Sequence, residues 1–317
     1  MRVLITGAAG FVGRHLAAHL LDRGEGEVWG LARAEDTANE LPSGVRPLPA
    51  DLLESEQVSA ALDVAKPEAI YHLAAQSSVA RSLDDPLPTL LNNITAQVNL
   101  FEAVTSLELN PRILVVGSNE EYGLTRQDEL PIVETKELRP ISPYAVSKVA
   151  QDLLGHQYFA TRRLQVVRVR PFVHIGPGQS DTFVTAAFAR QIAEMEAGLR
   201  KPVMKVGYLD GQRDFTDVRD VVRGYHLLLR DGVPGEVYNL GSEQPRSIRS
   251  LLDALLALST VQPRIEIDPA RIRPLEVPVQ YSDCSKLRAA TGWRPEIPFE
   301  QTLADVLDDW RRRIKGA

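Results

Sequence analysis

The sequence predicts an α/β protein: a Rossmann-like, doubly wound parallel sheet with a smaller mixed α/β domain after it. Three observations carry that prediction. Short unbroken runs rich in Val, Ile and Leu recur at residues 3–6, 27–31, 69–72 and 113–116. Longer stretches with helical spacing, at 11–23, 55–65 and 88–106, alternate with them. A glycine cluster, Gly7, Gly10 and Gly13, falls between the first run and the first helical stretch. Continuous apolar strands alternating with helices imply βαβ units whose sheet is covered on both faces.

The elements follow in order. Residues 3–6, Val-Leu-Ile-Thr, read as a buried strand, and 11–23 as the helix that the glycines open. The alternation continues to the strand at 113–116. Pro143 suits the first position of a helix reaching 163, and a strand follows at 165–170. After Pro171 the loops lengthen and fill with Gly and Pro. Residues 1–170 are expected to form the first domain and 171–317 mainly the second. A segment at about 214–242, with a strand-like stretch at 236–240, is expected to return to the first sheet. The last helix, 299–315, carries Leu303, Val306, Leu307 and Trp310 at core-facing spacing.

Composition narrows the class. The chain has 317 residues, 44% hydrophobic and 25% charged, so it can bury a core without metal or disulfide staples. A net charge of −6 argues against nucleic acid as a partner. The single cysteine, Cys284, excludes an internal disulfide and suits a reducing compartment, so a cytoplasmic location is expected. No apolar run reaches the roughly 18 residues of a membrane span. Gly7 comes too early for a signal peptide. No Cys/His/Asp cluster has metal-ligand spacing.

Gly7-Ala8-Ala9-Gly10-Phe11-Val12-Gly13 occupies a strand-turn-helix junction. Glycines permit a tight turn and the close approach of a pyrophosphate, to which the helix N-terminus offers free N–H groups and a positive dipole end. The first domain therefore reads as an NAD(P) site. Arg33 ends the second strand where an Asp or Glu would hold a ribose 2′-hydroxyl. An arginine there suits a 2′-phosphate, which favours NADPH with NADH as the alternative, although a solvated surface arginine reads nearly as well. Asp51 and Leu52 follow the third strand position, and Asp51 reads equally as a helix N-cap.

Tyr144 and Lys148 stand four residues apart at a helix start and share one face. A fixed cation beside a phenol favours the tyrosinate, lowering its pKa toward working pH. Ser118 lies at the carboxyl end of a parallel strand, the edge at which such sheets bind ligands.

Ser118, Tyr144, Lys148 and the Gly-x-x-Gly-x-x-Gly turn resemble the extended short-chain dehydrogenase/reductases, nucleotide-sugar branch. His72-Leu73-Ala74-Ala75 matches that family's turn after the fourth strand, Asn93 its long-helix start, and residues 291–295 its C-terminal region. The resemblance therefore spans essentially the whole chain. Residues 117–123, 170–179, 213–220 and 273–278 are similar to segments of GDP-6-deoxy-4-keto-mannose reductases and, in part, of GDP-mannose 4,6-dehydratases.

The resemblance implies a site. Ser118, Tyr144 and Lys148 would be catalytic, with Glu120 beside them. Gly7, Gly10, Phe11, Val12, Gly13, Arg33, Asp51, Leu52, Leu73, Ala74, Ala75 and Asn93 would hold the cofactor together with Tyr144 and Lys148. Ser78, Asn119, Glu120, Val173, Phe183, Arg190, Arg213, Arg273 and Glu276 would meet the substrate. Arg190, Arg213 and Arg273 would converge on a diphosphate, whose geometry suits guanidinium forks, and Glu276 would accept from a ribose. Helices near Asn93 and Pro143 would form a homodimer interface.

The implied reaction is NAD(P)H-dependent reduction of the C4 ketone of GDP-4-keto-6-deoxy-D-mannose to GDP-D-rhamnose. Val173 stands where the family usually has Asn and cannot make its hydrogen bond. Asn119 has no proton to give at neutral pH, which speaks against elimination. Glu120 keeps a 4,6-dehydratase open, with an epimerase as a further rival and an NADP-binding redox sensor as the non-enzymatic one. His72 reads as packing, His174 as pocket-lining or structural, and Cys284 as a small buried residue.

Overall fold

The structure is a computed structural model that describes residues 1–33, 41–271 and 277–316. Seven described strands form the main sheet: β1 (Arg2–Thr6), β2 (Glu27–Ala32), β3 (Arg46–Pro49), β4 (Ala69–His72), β5 (Arg112–Val116), β6 (Gln165–Pro171) and β10 (Val237–Leu240). They lie in the order β10-β6-β5-β4-β1-β2-β3, and every pairing is parallel. The order reverses between β1 and β4, and at such a switch point the crevice beyond the strands' carboxyl ends binds ligands.

Strand alternation builds two cores. Val3 and Ile5 of β1 face α1 (Phe11–Asp22) and α7 (Val218–Asp231). Leu4 faces α2 (Ser55–Ala65) and α4 (Pro86–Ser106) on the other side. The short α3 (Val79–Asp84) precedes α4, and α5 (Pro143–Arg162) packs along it. The helices expected at 55–65 and 299–315 stand as read, whereas the one expected from 88 starts at Pro86. β3 falls at the third strand position expected before Asp51, although no apolar run marks it: Arg-Pro-Leu-Pro lacks two ladder N–H groups. A strand with such prolines is tolerated at an edge, where, among the described residues, β3 pairs only with β2.

The second unit is mixed. β7 (Val173–Ile175), β9 (Gln212–Asp217), β11 (Pro245–Ser247) and β13 (Val279–Gln280) make a small sheet around β9, and β8 (Val203–Val206) pairs with β12 (Arg264–Ile267). Their core takes in α6 (Val184–Glu196), α8 (Ile248–Ala257) and α10 (Phe299–Lys315). The chain re-enters the first unit at α7 rather than at 214, because β9 is committed to the small sheet. β10 then pairs with β6, Val237 opposite Arg168. Trp293, just after α9 (Ser285–Thr291), is buried in the first core and donates its indole N–H to the Asp220 carbonyl at 2.9 Å. No described helix is long and apolar enough to cross a membrane.

Candidate active site

The first turn is a glycine cradle. Gly7 has φ +70°, and a Cβ on it would lie 3.0 Å from the Ala74 backbone. A Cβ on Gly13 would lie 2.2 Å from the Gly7 carbonyl oxygen, so α1 can seat this tightly only on glycine. Gly10 caps α1 with no side-chain acceptor, which leaves the first-turn N–H groups of Phe11, Val12 and Gly13 for a ligand. Phe11 stacks on His174 at 6.2 Å between ring centroids, and His15 Nε2 lies 2.8 Å from the Pro177 carbonyl. The first helix and the second unit are thus fastened beside the cradle. The Ala74 N–H donates to Thr6 Oγ1 at 3.2 Å, and Thr6 Oγ1 lies 2.9 Å from His72 Nδ1. Burial, with Lys148 nearby, pushes the His72 imidazole down to about 3, so it stays neutral and structural.

α5 presents the tyrosine and lysine. Ser142 caps it, accepting from the Ala145 N–H at 3.1 Å, and the Tyr144 N–H finds Ser82 Oγ at 3.2 Å. Lys148 donates from Nζ to the Val116 carbonyl at 2.8 Å, which pins it beneath the end of β5. Burial pushes its ammonium down to about 8. Ser118 heads a 3-10 turn, Asn119–Tyr122, where its Oγ accepts from the Glu120 N–H at 3.2 Å. Its hydroxyl is near enough to the Tyr144 phenol to pull that phenol's pKa down.

One expectation is corrected here. Burial pushes the Tyr144 phenol well up, Ser118 pulls it partly back, and Glu120 pushes it further. Lys148 spends an N–H on the Val116 carbonyl instead. The phenol is thus held in its protonated, proton-giving form.

Other expected residues sort by what they touch. Leu73, Ala74 and Ala75 line the turn after β4, partly exposed against the glycines. Arg33 is exposed just past β2. Asp51 caps a turn by accepting from the Leu53 N–H at 2.9 Å, not the N-terminus of α2, and Leu52 is buried in the second core. Asn93 is corrected twice: it lies well inside α4, and it is wholly buried. Its carboxamide bridges Gln76, whose N–H reaches Oδ1 at 2.8 Å, to Ser147 Oγ, 2.9 Å from Nδ2. It therefore holds the crevice wall rather than a ligand.

Asn119 is also buried, with Nδ2 donating to Gln280 Oε1 at 2.6 Å, so its amide is not offered to a substrate. Val173 packs against the second unit's core, which is why an apolar residue suits that position. Ser78 caps α3, accepting from the Arg81 N–H at 3.2 Å. Phe183 caps α6 and is 39% exposed. Arg190 is already paired with Asp181 and, at 2.7 Å, with Glu194. Arg213 donates to the Val277 carbonyl at 2.8 Å. Arg273 and Glu276 lie outside the described residues.

Behind Ser118 stands a buried network that sequence reasoning missed. Glu121 Oε1 accepts from the Ser118 N–H at 2.7 Å. Arg170 spans Glu121 at 3.0 Å and Asp152 at 2.5 Å, and Arg168 pairs with Asp152 as well. The Glu-Glu-Tyr run was the available signal. Nothing marked Gln280, which is 161 residues from Asn119.

A parallel sheet with a glycine cradle at its switch point, and a serine, tyrosine and lysine at its carboxyl edge, defines an extended short-chain dehydrogenase/reductase, an enzyme class that binds nicotinamide dinucleotides. The chain belongs to the GDP-mannose 4,6-dehydratase family, whose model matches residues 4–306. It is 38% identical to the GDP-6-deoxy-D-mannose reductase of Pseudomonas aeruginosa over 99% of this chain and 98% of that one. It is 30% identical to GDP-mannose 4,6 dehydratase 1 of Arabidopsis thaliana, covering 96% and 88%. The solved structure of RMD from Pseudomonas aeruginosa complexed with NADPH superposes with a TM-score of 0.87 at 37% identity, covering 99% of this chain and all of that one.

Proposed function

We propose that this chain reduces the C4 ketone of GDP-4-keto-6-deoxy-D-mannose with NADPH, giving GDP-D-rhamnose. The observation that carries this reading is the placement of Ser118 and the buried Tyr144 at the carboxyl edge of the sheet, with Lys148 anchored one helical turn along. Ketone reduction needs a proton at the oxygen as negative charge develops there, and a buried phenol is a donor in the right form.

The residues fit the cofactor. The Gly7–Gly13 cradle and the uncapped N-terminus of α1 suit its pyrophosphate, and Arg33 suits a 2′-phosphate. When bound, NADPH would supply the hydride. Ser118 would hydrogen-bond the ketone oxygen, Tyr144 would give it a proton, and Lys148, anchored on Val116, would hold the cofactor's ribose. On this reading residues 1–170 form the NAD(P) domain and 171–317 mainly the sugar-nucleotide domain, with Arg213, Arg273 and Glu276 on the substrate's nucleotide. Exposed Leu87 and Leu91 on α4 and Val146 and Leu153 on α5 support a homodimer through those helices, and the single buried thiol suits the cytoplasm.

The test is a nicotinamide absorbance assay with GDP-4-keto-6-deoxy-D-mannose, NADPH and, separately, NADH. Wild type should consume NADPH stoichiometrically, and Tyr144→Phe should lose roughly 10²- to 10⁴-fold in kcat while still binding NADPH. Conversion of GDP-mannose to a keto sugar with no net change in cofactor would sink the reading in favour of a dehydratase.

A further inference from the structure

Glu121 is not among the residues expected to meet cofactor or substrate. It is fully buried, yet it reaches back to the catalytic turn: Oε1 accepts the Ser118 N–H at 2.7 Å. The fit is close on that side, since a Cβ on Gly117 would lie 2.2 Å from Oε1. With the Ser118 N–H taken by Glu121 and Ser118 Oγ accepting from Glu120, the serine's backbone and one lone pair are fixed. Its O–H is left to turn toward the Tyr144 phenol or a ketone.

The other oxygen of Glu121 presents a difficulty. Among the described residues no N–H or O–H donor is aligned on buried Oε2, although Arg170 Nε lies 3.0 Å away. The Arg170 Nε–H is spent on Asp152 Oδ2 at 2.6 Å, which leaves the two carboxyl groups side by side on one guanidinium. Two carboxylates are both acceptors and cannot bond without a proton between them. Asp152 is the partner that stays ionised, since Arg168 and Arg170 both pair with it. The proton therefore belongs on Glu121.

We infer that Glu121 is a positioning residue for Ser118, a neutral carboxylic acid whose O–H is donated to Asp152 and whose carbonyl oxygen holds the Ser118 backbone. Burial and the neighbouring Asp152 charge both push its carboxyl up, in line with that state. The role rests on the reductase reading for its kinetic consequence, but not for its protonation state.

Three measurements separate the two. The infrared spectrum at neutral pH, without substrate, should show a protonated-carboxyl band that Glu121→Gln removes. The glutamine keeps a carbonyl for Ser118 and donates an N–H to Asp152, so its kcat should stay within about threefold of wild type. Glu121→Met removes the acceptor, and a misplaced catalytic group should cost roughly tenfold or more in kcat, with KM and NADPH affinity within about twofold. Absence of the band, or a folded Glu121→Met with full kcat, would overturn the inference. A fall in Glu121→Gln as deep as in Glu121→Met would also overturn it, by showing that the charged acid is needed. A wild type that reduces no keto sugar yet shows the band would defeat only the reductase reading.

Discussion

Asn119 and Gln280 are 161 residues apart in sequence, and their side-chain amides meet at 2.6 Å. Gln280 also donates to the backbone carbonyls of Asn119 and Gly123, at 3.3 and 3.4 Å. The Ser118 turn and strand β13 of the small sheet are therefore locked together in a buried place. A serine side chain at position 119 would be too short to reach across.

That lock is measurable. Asn119→Ser leaves the Gln280 carboxamide buried without its partner and should cost about 1–3 kcal/mol in urea unfolding. Gln280→Leu should cost a similar amount alone and much less on the Asn119→Ser background. Additive losses would show that the pair is not coupled.

Lys148 gives stability a pH dependence of definite sign. Its folded pKa is pushed to about 8, against an ordinary value of 10.5. Between those values the unfolded chain holds more proton at this position than the folded one, so stability contributed here rises with pH. Below pH about 8 the penalty of a buried ammonium is fully present. Unfolding free energies of wild type and Lys148→Met should therefore diverge across that window, with wild type gaining on the variant. A constant difference would remove the explanation.

Arg33 stands exposed just beyond β2. If it meets a 2′-phosphate, Arg33→Ala should raise KM for NADPH about tenfold and leave KM for NADH within about twofold. Equal effects on both cofactors would assign the preference elsewhere.

On α4, Leu87 and Leu91 are 60% and 56% exposed, and on α5 Val146 and Leu153 are 45% and 54% exposed. Aspartate at Leu91 and Leu153 should halve the mass measured by light scattering while leaving the circular dichroism unchanged. A wild type already monomeric would place these leucines in solvent.

Most strands of the sheet, the glycine cradle and the Tyr144–Lys148 spacing could be read from the chain, because each is local. A run such as Val-Leu-Ile-Thr, glycines at a strand-turn-helix junction, and Tyr144 with Lys148 one helical turn apart are all read within a few residues. Tertiary structure decided the rest. β3 exists because an edge position tolerates its prolines, and Asn93 and Asn119 became brackets because partners from distant elements consumed their amides. The state of Tyr144 was also settled in three dimensions. Spacing placed a lysine on its face, but burial and the Val116 carbonyl, set by the folded packing, fix where each proton stays. Desolvation depends on everything that surrounds a group, and no local pattern in the chain records it.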